Sequence, residues 1–143
     1  MITLDTNVVS ELMRARADPG VVAWIDSQPA DEIYLTAVTM AELRYGVARV
    51  PEGRRRTDLA DRLQRAVEAG FAGRVLPFDD DAAAHYADIV MGRERRGLPI
   101  AMADAQIAAI CRSHSAGLAT RNTGDFVHTG IDLTNPWQTT PAN

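Results

Sequence analysis

Apolar and polar positions fall into short alternating blocks along this chain. Met1–Leu4 is an apolar run that stops at Asp5, which reads as a short buried strand. Val8, Val9, Leu12 and Met13 recur at helical spacing, so Thr6–Met13 is expected to be a helix. Pro19 stands where a second helix would begin, with Val21, Val22, Trp24 and Ile25 behind it. Ile33–Leu35 is a second short strand closed by Thr36, and a third helix is expected from Thr39, with Leu43, Val47 and Val50 on one face. Pro51–Gly53 breaks that helix. A charged helix follows over Arg54–Ala72, with Leu59, Leu63, Ala66 and Phe71 as its apolar stripe. Val75–Phe78 is a third strand, and Asp79–Asp81 opens a helix that carries Ala84, Ile89 and Val90 and closes at Gly97. Ala103–His114 is a helix with Ile107, Ile110 and Cys111 facing inward. Gly117–Thr120 is a fourth strand, and Ile131–Leu133 is a candidate fifth.

Short strands that alternate with helices predict an α/β fold. Four to five mostly parallel strands would be covered by helices on both faces in a three-layer sandwich. The length of 143 residues suits one domain, placed at 1–137, with 138–143 as a loose tail. At 46% hydrophobic and 24% charged residues, the composition is that of a soluble globular protein. No apolar run approaches the roughly 20 residues of a membrane span, and the N-terminus does not read as a secretory signal. The cytoplasm is the expected compartment. A single cysteine excludes an internal disulfide and a cysteine-based zinc site. Every basic residue is an arginine, so a P-loop and a lysine Schiff base are both excluded.

In a parallel sheet, ligands bind beyond the carboxyl ends of the strands. Asp5 follows the first strand, Glu42 lies in the first turn of the helix after the second, and Asn122 and Asp125 follow the fourth. Asp104 opens the helix that leads into the fourth strand. Each acid also has a local reading. Asp5 fits an N-cap, Thr39-x-x-Glu42 fits a capping box, Asp104 favours a helix dipole and Asp125 suits a turn. Gathered at one edge, however, carboxylates repel one another, and they stay ionised only beside a cation. An all-oxygen set suits Mg²⁺ or Mn²⁺, which can activate water and offset charge on a phosphodiester.

The blocks MITLDTNVVSEL, TAVTMAELRYGV, PIAMADAQIAAI and LATRNTGDF with its later NPW, in this order over nearly the whole chain, resemble a PIN-domain ribonuclease. The resemblance is to the VapC group of toxin–antitoxin toxins and, within it, to the FitB-like members. It implies a PIN-like sandwich and Mg²⁺- or Mn²⁺-dependent endoribonuclease activity. Asp5 and Asp104 would be direct metal ligands, and Glu42 a third acid that orients water. Asn122 or Asp125 would supply the fourth position. Thr6, Asn7, Thr120, Arg121 and Asn122 would position ligands or substrate. The resemblance also implies an antitoxin partner, usually a small DNA-binding protein whose tail blocks the site. It implies a homodimer and DNA binding only through the antitoxin.

Two other readings compete. An aspartate-nucleophile phosphatase built on Asp5 would lack the lysine such enzymes use. A non-catalytic interaction module would leave the acids as caps. The runs Arg54-Arg55-Arg56 with Arg62 and Arg65, and Arg93-x-Arg95-Arg96, read as solvated helix faces paired with Asp58, Asp61, Glu68 and Glu94. Arg121, beside the acids, is the better candidate for a substrate phosphate. The histidines show no metal spacing, Cys111 reads as core, and Trp24 and Trp137 read as packing or dimer contacts. The net charge of −4 argues against broad DNA coating. The whole acidic excess equals the four candidate acids Asp5, Glu42, Asp104 and Asp125, so it does not argue against an RNA-cutting enzyme.

Overall fold

Each strand is short because an acid, a threonine or a proline ends its apolar run. In the computed structural model, which describes residues 1–139, five such strands form one sheet in the order β3-β2-β1-β4-β5, with every neighbouring pair parallel. The strands are β1 (Ile2–Leu4), β2 (Ile33–Thr36), β3 (Val75–Leu76), β4 (Gly117–Ala119) and β5 (Leu133–Thr134). The helices are α1 (Thr6–Leu12), α2 (Pro19–Asp26), α3 (Ala37–Ala48), α4 (Arg54–Gly70), α5 (Asp80–Arg95) and α6 (Met102–Ser113).

Successive side chains of a strand point to opposite faces, and two separate cores result. Leu4, Ile33, Leu35 and Ala119 pack with Val8, Val9, Val21, Trp24, Met40, Leu43 and Leu63, so α1–α4 cover one face. Tyr34, Leu76, Leu118 and Leu133 pack with Ala82, Ile89, Ile107, Ile110 and Cys111, so α5 and α6 cover the other. The three-layer expectation is therefore met. Cys111 is fully buried, and burial pushes its thiol up to about 12, which suits a core residue and not a reactive one.

Several boundaries differ from expectation for identifiable reasons. β3 stops at Leu76 because Pro77 has no N–H to continue the ladder. The fifth strand is Leu133–Thr134, two residues later than expected, with Leu133 opposite Leu118. α3 begins at Ala37, because Thr36 caps it by accepting from the Thr39 N–H at 3.0 Å. Asp79 caps α5 in the same way, from the Ala82 N–H at 3.0 Å, so the Asp79–Asp81 run is a charged helix start. Of the tail expected at 138–143, residues 140–143 lie outside the described residues.

α5 ends in a Schellman turn: the Gly97 N–H reaches Glu94 O at 3.0 Å and the Leu98 N–H reaches Arg93 O at 2.9 Å. Gly97 has φ +71°, a left-handed conformation that costs other residues about 1–2 kcal/mol. A Cβ there would meet open space. Gly97→Ala is therefore expected to lower stability by about 1 kcal/mol, measured by urea unfolding. Among the described residues, no helix is long and apolar enough to cross a membrane.

The charged runs behave differently from one another. Of the expected pairings along α4 and α5, none forms among the described residues; Arg56 pairs with Glu52 instead, at 3.4 Å. Most arginines of α4 are exposed, so the solvated face is real even though its pairs are absent. Arg93 departs from the expectation altogether, being only 5% exposed.

Candidate active site

The sheet changes direction of growth between β1 and β4, and that crevice holds the site. Leu4 lies opposite Ala119, so Asp5 and Thr120 come out side by side, one residue past the ladder. The Thr120 hydroxyl donates to Asp5 Oδ2 at 2.7 Å. Asp5 also caps α1, where its Oδ1 accepts from the Thr6 N–H at 2.8 Å. Asn7 ties the two strand ends together. Its Nδ2 lies 3.4 Å from both Asp5 Oδ2 and Thr120 Oγ1, and its Oδ1 accepts from the Arg121 N–H at 3.1 Å. Thr120 Oγ1 in turn accepts from the Asn122 N–H at 3.1 Å. The N-cap reading of Asp5 holds, and it is compatible with a place in the candidate site.

Glu42 is the point where the sequence misleads. With Thr36 as the N-cap, Glu42 sits in the second turn of α3, not the first, and Thr39-x-x-Glu42 is not a capping box. Its carboxylate is free of the backbone and instead accepts from the Thr6 hydroxyl at 2.9 Å. Asp104 lies in the first turn of α6, where the helix dipole favours a negative charge. Asp125 lies in a 3-10 turn, Thr123–Phe126, just beyond β4. Neither Asp104 nor Asp125 accepts a side-chain hydrogen bond among the described residues.

The acids interact through space. Burial pushes the Asp104 carboxyl up to about 6, and the charges of Asp5, Asp125 and Glu42 add to the effect. The Asp5 carboxyl is also raised, chiefly by burial, against the hydrogen bonds from Thr120, Thr6 and Asn7 and with a contribution from Asp125. Asp125 thus acts on both central acids, while Asn122 is exposed and contributes its backbone N–H.

This donor set fits a divalent cation. All the donors are oxygens, two of the carboxylates lack side-chain hydrogen-bond partners among the described residues, and Asp5 and Asp104 are both raised, which a nearby cation would relieve. Among the described residues, no three acidic, histidine or cysteine side chains converge into a ready-made cage.

Two contributors escaped the sequence reading. Trp137, read as a packing or dimer contact, packs against the core, and Arg121 also stacks on its ring, 4.9 Å from the centroid. Asn135 Oδ1 accepts from the Trp137 N–H at 3.0 Å, while its Nδ2 donates to Arg121 O at 3.4 Å. The second contributor is Arg93, whose position four residues after buried Ile89 was the available signal.

Residues 2–131 match the family model of the PIN domain. The chain belongs to the PIN-domain family. This PIN domain is 49% identical over 138 residues to a VapC ribonuclease, Y4jK, of Sinorhizobium fredii, covering 96% of this chain and 99% of the relative. It is 46% identical over 137 residues to Toxin FitB of Neisseria gonorrhoeae, covering 96% and 99%. A solved structure of FitAB bound to an IR36 DNA fragment superposes with a TM-score of 0.92 at 43% identity, with both chains fully covered. The resemblance to the VapC and FitB-like group holds across the whole PIN domain, and the protein is a nuclease of the VapC/FitB toxin kind.

Proposed function

We propose that this PIN domain is the toxin of a toxin–antitoxin pair and cleaves RNA with Mg²⁺ or Mn²⁺ held by Asp5 and Asp104. The observation that carries the reading is the gathering of Asp5, Glu42, Asp104 and Asp125 at the carboxyl edge of the sheet, where burial first and neighbouring charge second raise Asp5 and Asp104. A bound divalent cation would supply an activated water and offset the charge that develops on the phosphodiester.

The chain's own residues do the rest. Glu42, held by the Thr6 hydroxyl, orients the attacking water and takes its proton. Thr120 and Asn7 fix the Asp5 carboxylate. Asp125 is the fourth acid, and Asn122 shapes the loop through its backbone. Arg121, held by Asn7 and stacked on Trp137, contacts a neighbouring phosphate. The water oxygen bonds to phosphorus, the P–O3′ bond breaks, and a proton passes to the leaving oxygen. The products are a 5′-phosphate and a 3′-hydroxyl.

The antitoxin would lie in an apolar groove of about 400 Å³ between α1, α3 and α4, lined by Met13, Leu43, Val47, Leu59 and Leu63. Thr6 and Glu42 also line this groove, so a peptide seated there reaches the site. DNA contact falls to the antitoxin, in keeping with the net charge of −4. The homodimer belongs to the same proposal; Tyr45 and Met102, 65% and 66% exposed, are large apolar side chains that a second copy could cover.

The test is cleavage of RNA by purified protein with Mn²⁺, with Mg²⁺ and after EDTA. The expected result is cleavage that EDTA abolishes and added Mn²⁺ restores. Cleavage that persists undiminished in EDTA would overturn the metal mechanism, and a phosphoaspartate on Asp5 would favour a phosphatase.

A further inference from the structure

Arg93 is a buried arginine with no carboxylate partner among the described residues, at 5% exposure. A buried charge persists only when hydrogen bonds satisfy it. Its guanidinium does this with three carbonyls. Nε donates to Leu98 O at 2.7 Å, Nη1 to Val127 O at 2.7 Å and Nη2 to Pro99 O at 3.5 Å. The contact with Leu98 is reciprocal, because the Leu98 N–H returns to Arg93 O at 2.9 Å.

Leu98 and Pro99 belong to the loop that delivers α6 and, in its first turn, Asp104. Val127 directly follows the turn that carries Asp125. One side chain therefore bridges the two segments that present two acids of the cluster. α6 also packs against the 3-10 turn that carries Asp125. The charge of Arg93 is also felt at Asp104 itself.

We propose that Arg93 is a positioning residue that sets the spacing of Asp104 and Asp125 by tying the α5–α6 loop to the segment after Thr123–Phe126. The proposal rests on the reading of these acids as a divalent-cation site. A lysine could keep the charge, but it has no rigid fork with which to hold three carbonyls.

The test uses Mn²⁺ titration by calorimetry of full-length Arg93→Lys and Arg93→Met, with the metal-free melting temperature recorded for each. Binding is expected to weaken about tenfold or more in both. Val21→Ala is the control, because Val21 is fully buried on α2 in the core on the opposite face of the sheet from α5 and α6; it should lose melting temperature but keep its Mn²⁺ affinity. Unchanged or tighter binding by folded Arg93→Lys would overturn the proposal and leave Arg93 as a loop brace alone. Should Arg93→Met fail to fold, Arg93→Lys and hydrogen exchange on the unaltered protein decide the matter. On adding Mn²⁺, amides of 97–101 and 123–128 are expected to gain protection together. Protection of one segment without the other would overturn the coupling. No saturable Mn²⁺ binding by the unaltered protein would instead overturn the metal reading, and this inference with it.

Discussion

Asp104→Asn is expected to lose RNA cleavage by on the order of a thousandfold or more, yet to raise the melting temperature of the metal-free protein at neutral pH. The two effects have one cause. Burial and the neighbouring charges of Asp5, Asp125 and Glu42 raise the Asp104 carboxyl from 3.8 to about 6 in the folded state. Between those values the folded chain binds a proton that the unfolded chain has lost, so stability falls as pH rises through this window. Above about 6 the carboxylate is ionised in both states, and the penalty is fully present. Asparagine carries no charge to desolvate, so the variant should escape this penalty. Thermal unfolding of both proteins from pH 4 to 8 checks this: the difference should be near zero at the acid end and widest at the basic end. Added Mn²⁺ should stabilise the parent and leave the variant unmoved. A variant that melts lower than the parent at every pH would show that the charge of Asp104 stabilises the fold, and the strained-cluster account would fail.

Thr120→Val is expected to cost about 2–3 kcal/mol in stability and to weaken Mn²⁺ binding by roughly 10-fold to 100-fold. Valine nearly matches threonine in shape, so the fully buried site keeps its packing and loses only the hydroxyl. That hydroxyl donates to Asp5 Oδ2 at 2.7 Å and accepts from the Asn122 N–H at 3.1 Å. Without it, a buried carboxylate oxygen keeps only the long contact from Asn7, at 3.4 Å. The hydrogen bond from Thr120 is the foremost influence that lowers the Asp5 carboxyl against burial. Its removal should push that carboxyl further up, so that metal binding needs a higher pH than in the parent. Urea unfolding and calorimetry across pH check both parts, and Thr120→Ser should restore most of the loss. A stability change below about 0.5 kcal/mol would show that Asp5 does not depend on this hydroxyl.

Much of the site is legible in the sequence because parallel α/β topology is local. A short strand-forming run, Ile2-Thr3-Leu4, followed by an acid places Asp5 at a strand end. The same logic located Thr120, Asn122 and Asp125 at and after the end of β4. Glu42 was located with the wrong local chemistry, since Thr36 and Thr39 are both plausible caps and only the strand's actual end selects Thr36. Arg93 was misread because its neighbours Arg95 and Arg96 are exposed, and in a charged run the polar identity outweighs the helical position. The stacking partner of Arg121, Trp137, lies sixteen positions on and comes near only because β5 pairs with β4.

The sequence by itself determined the element types and the three-layer class and pointed to four candidate acids, because hydrophobic period and strand-end chemistry are properties of a few adjacent residues. Only the tertiary structure decided how those acids interact. The proton affinities of Asp5 and Asp104 depend on burial and on charges brought together from β1, α3, α6 and the turn after β4. The bridges that fix them, from Thr120 to Asp5 and from Arg93 to two loops, join residues 115 and 34 positions apart. Contacts of that range exist only once the sheet has set its strand order, and no local pattern encodes them.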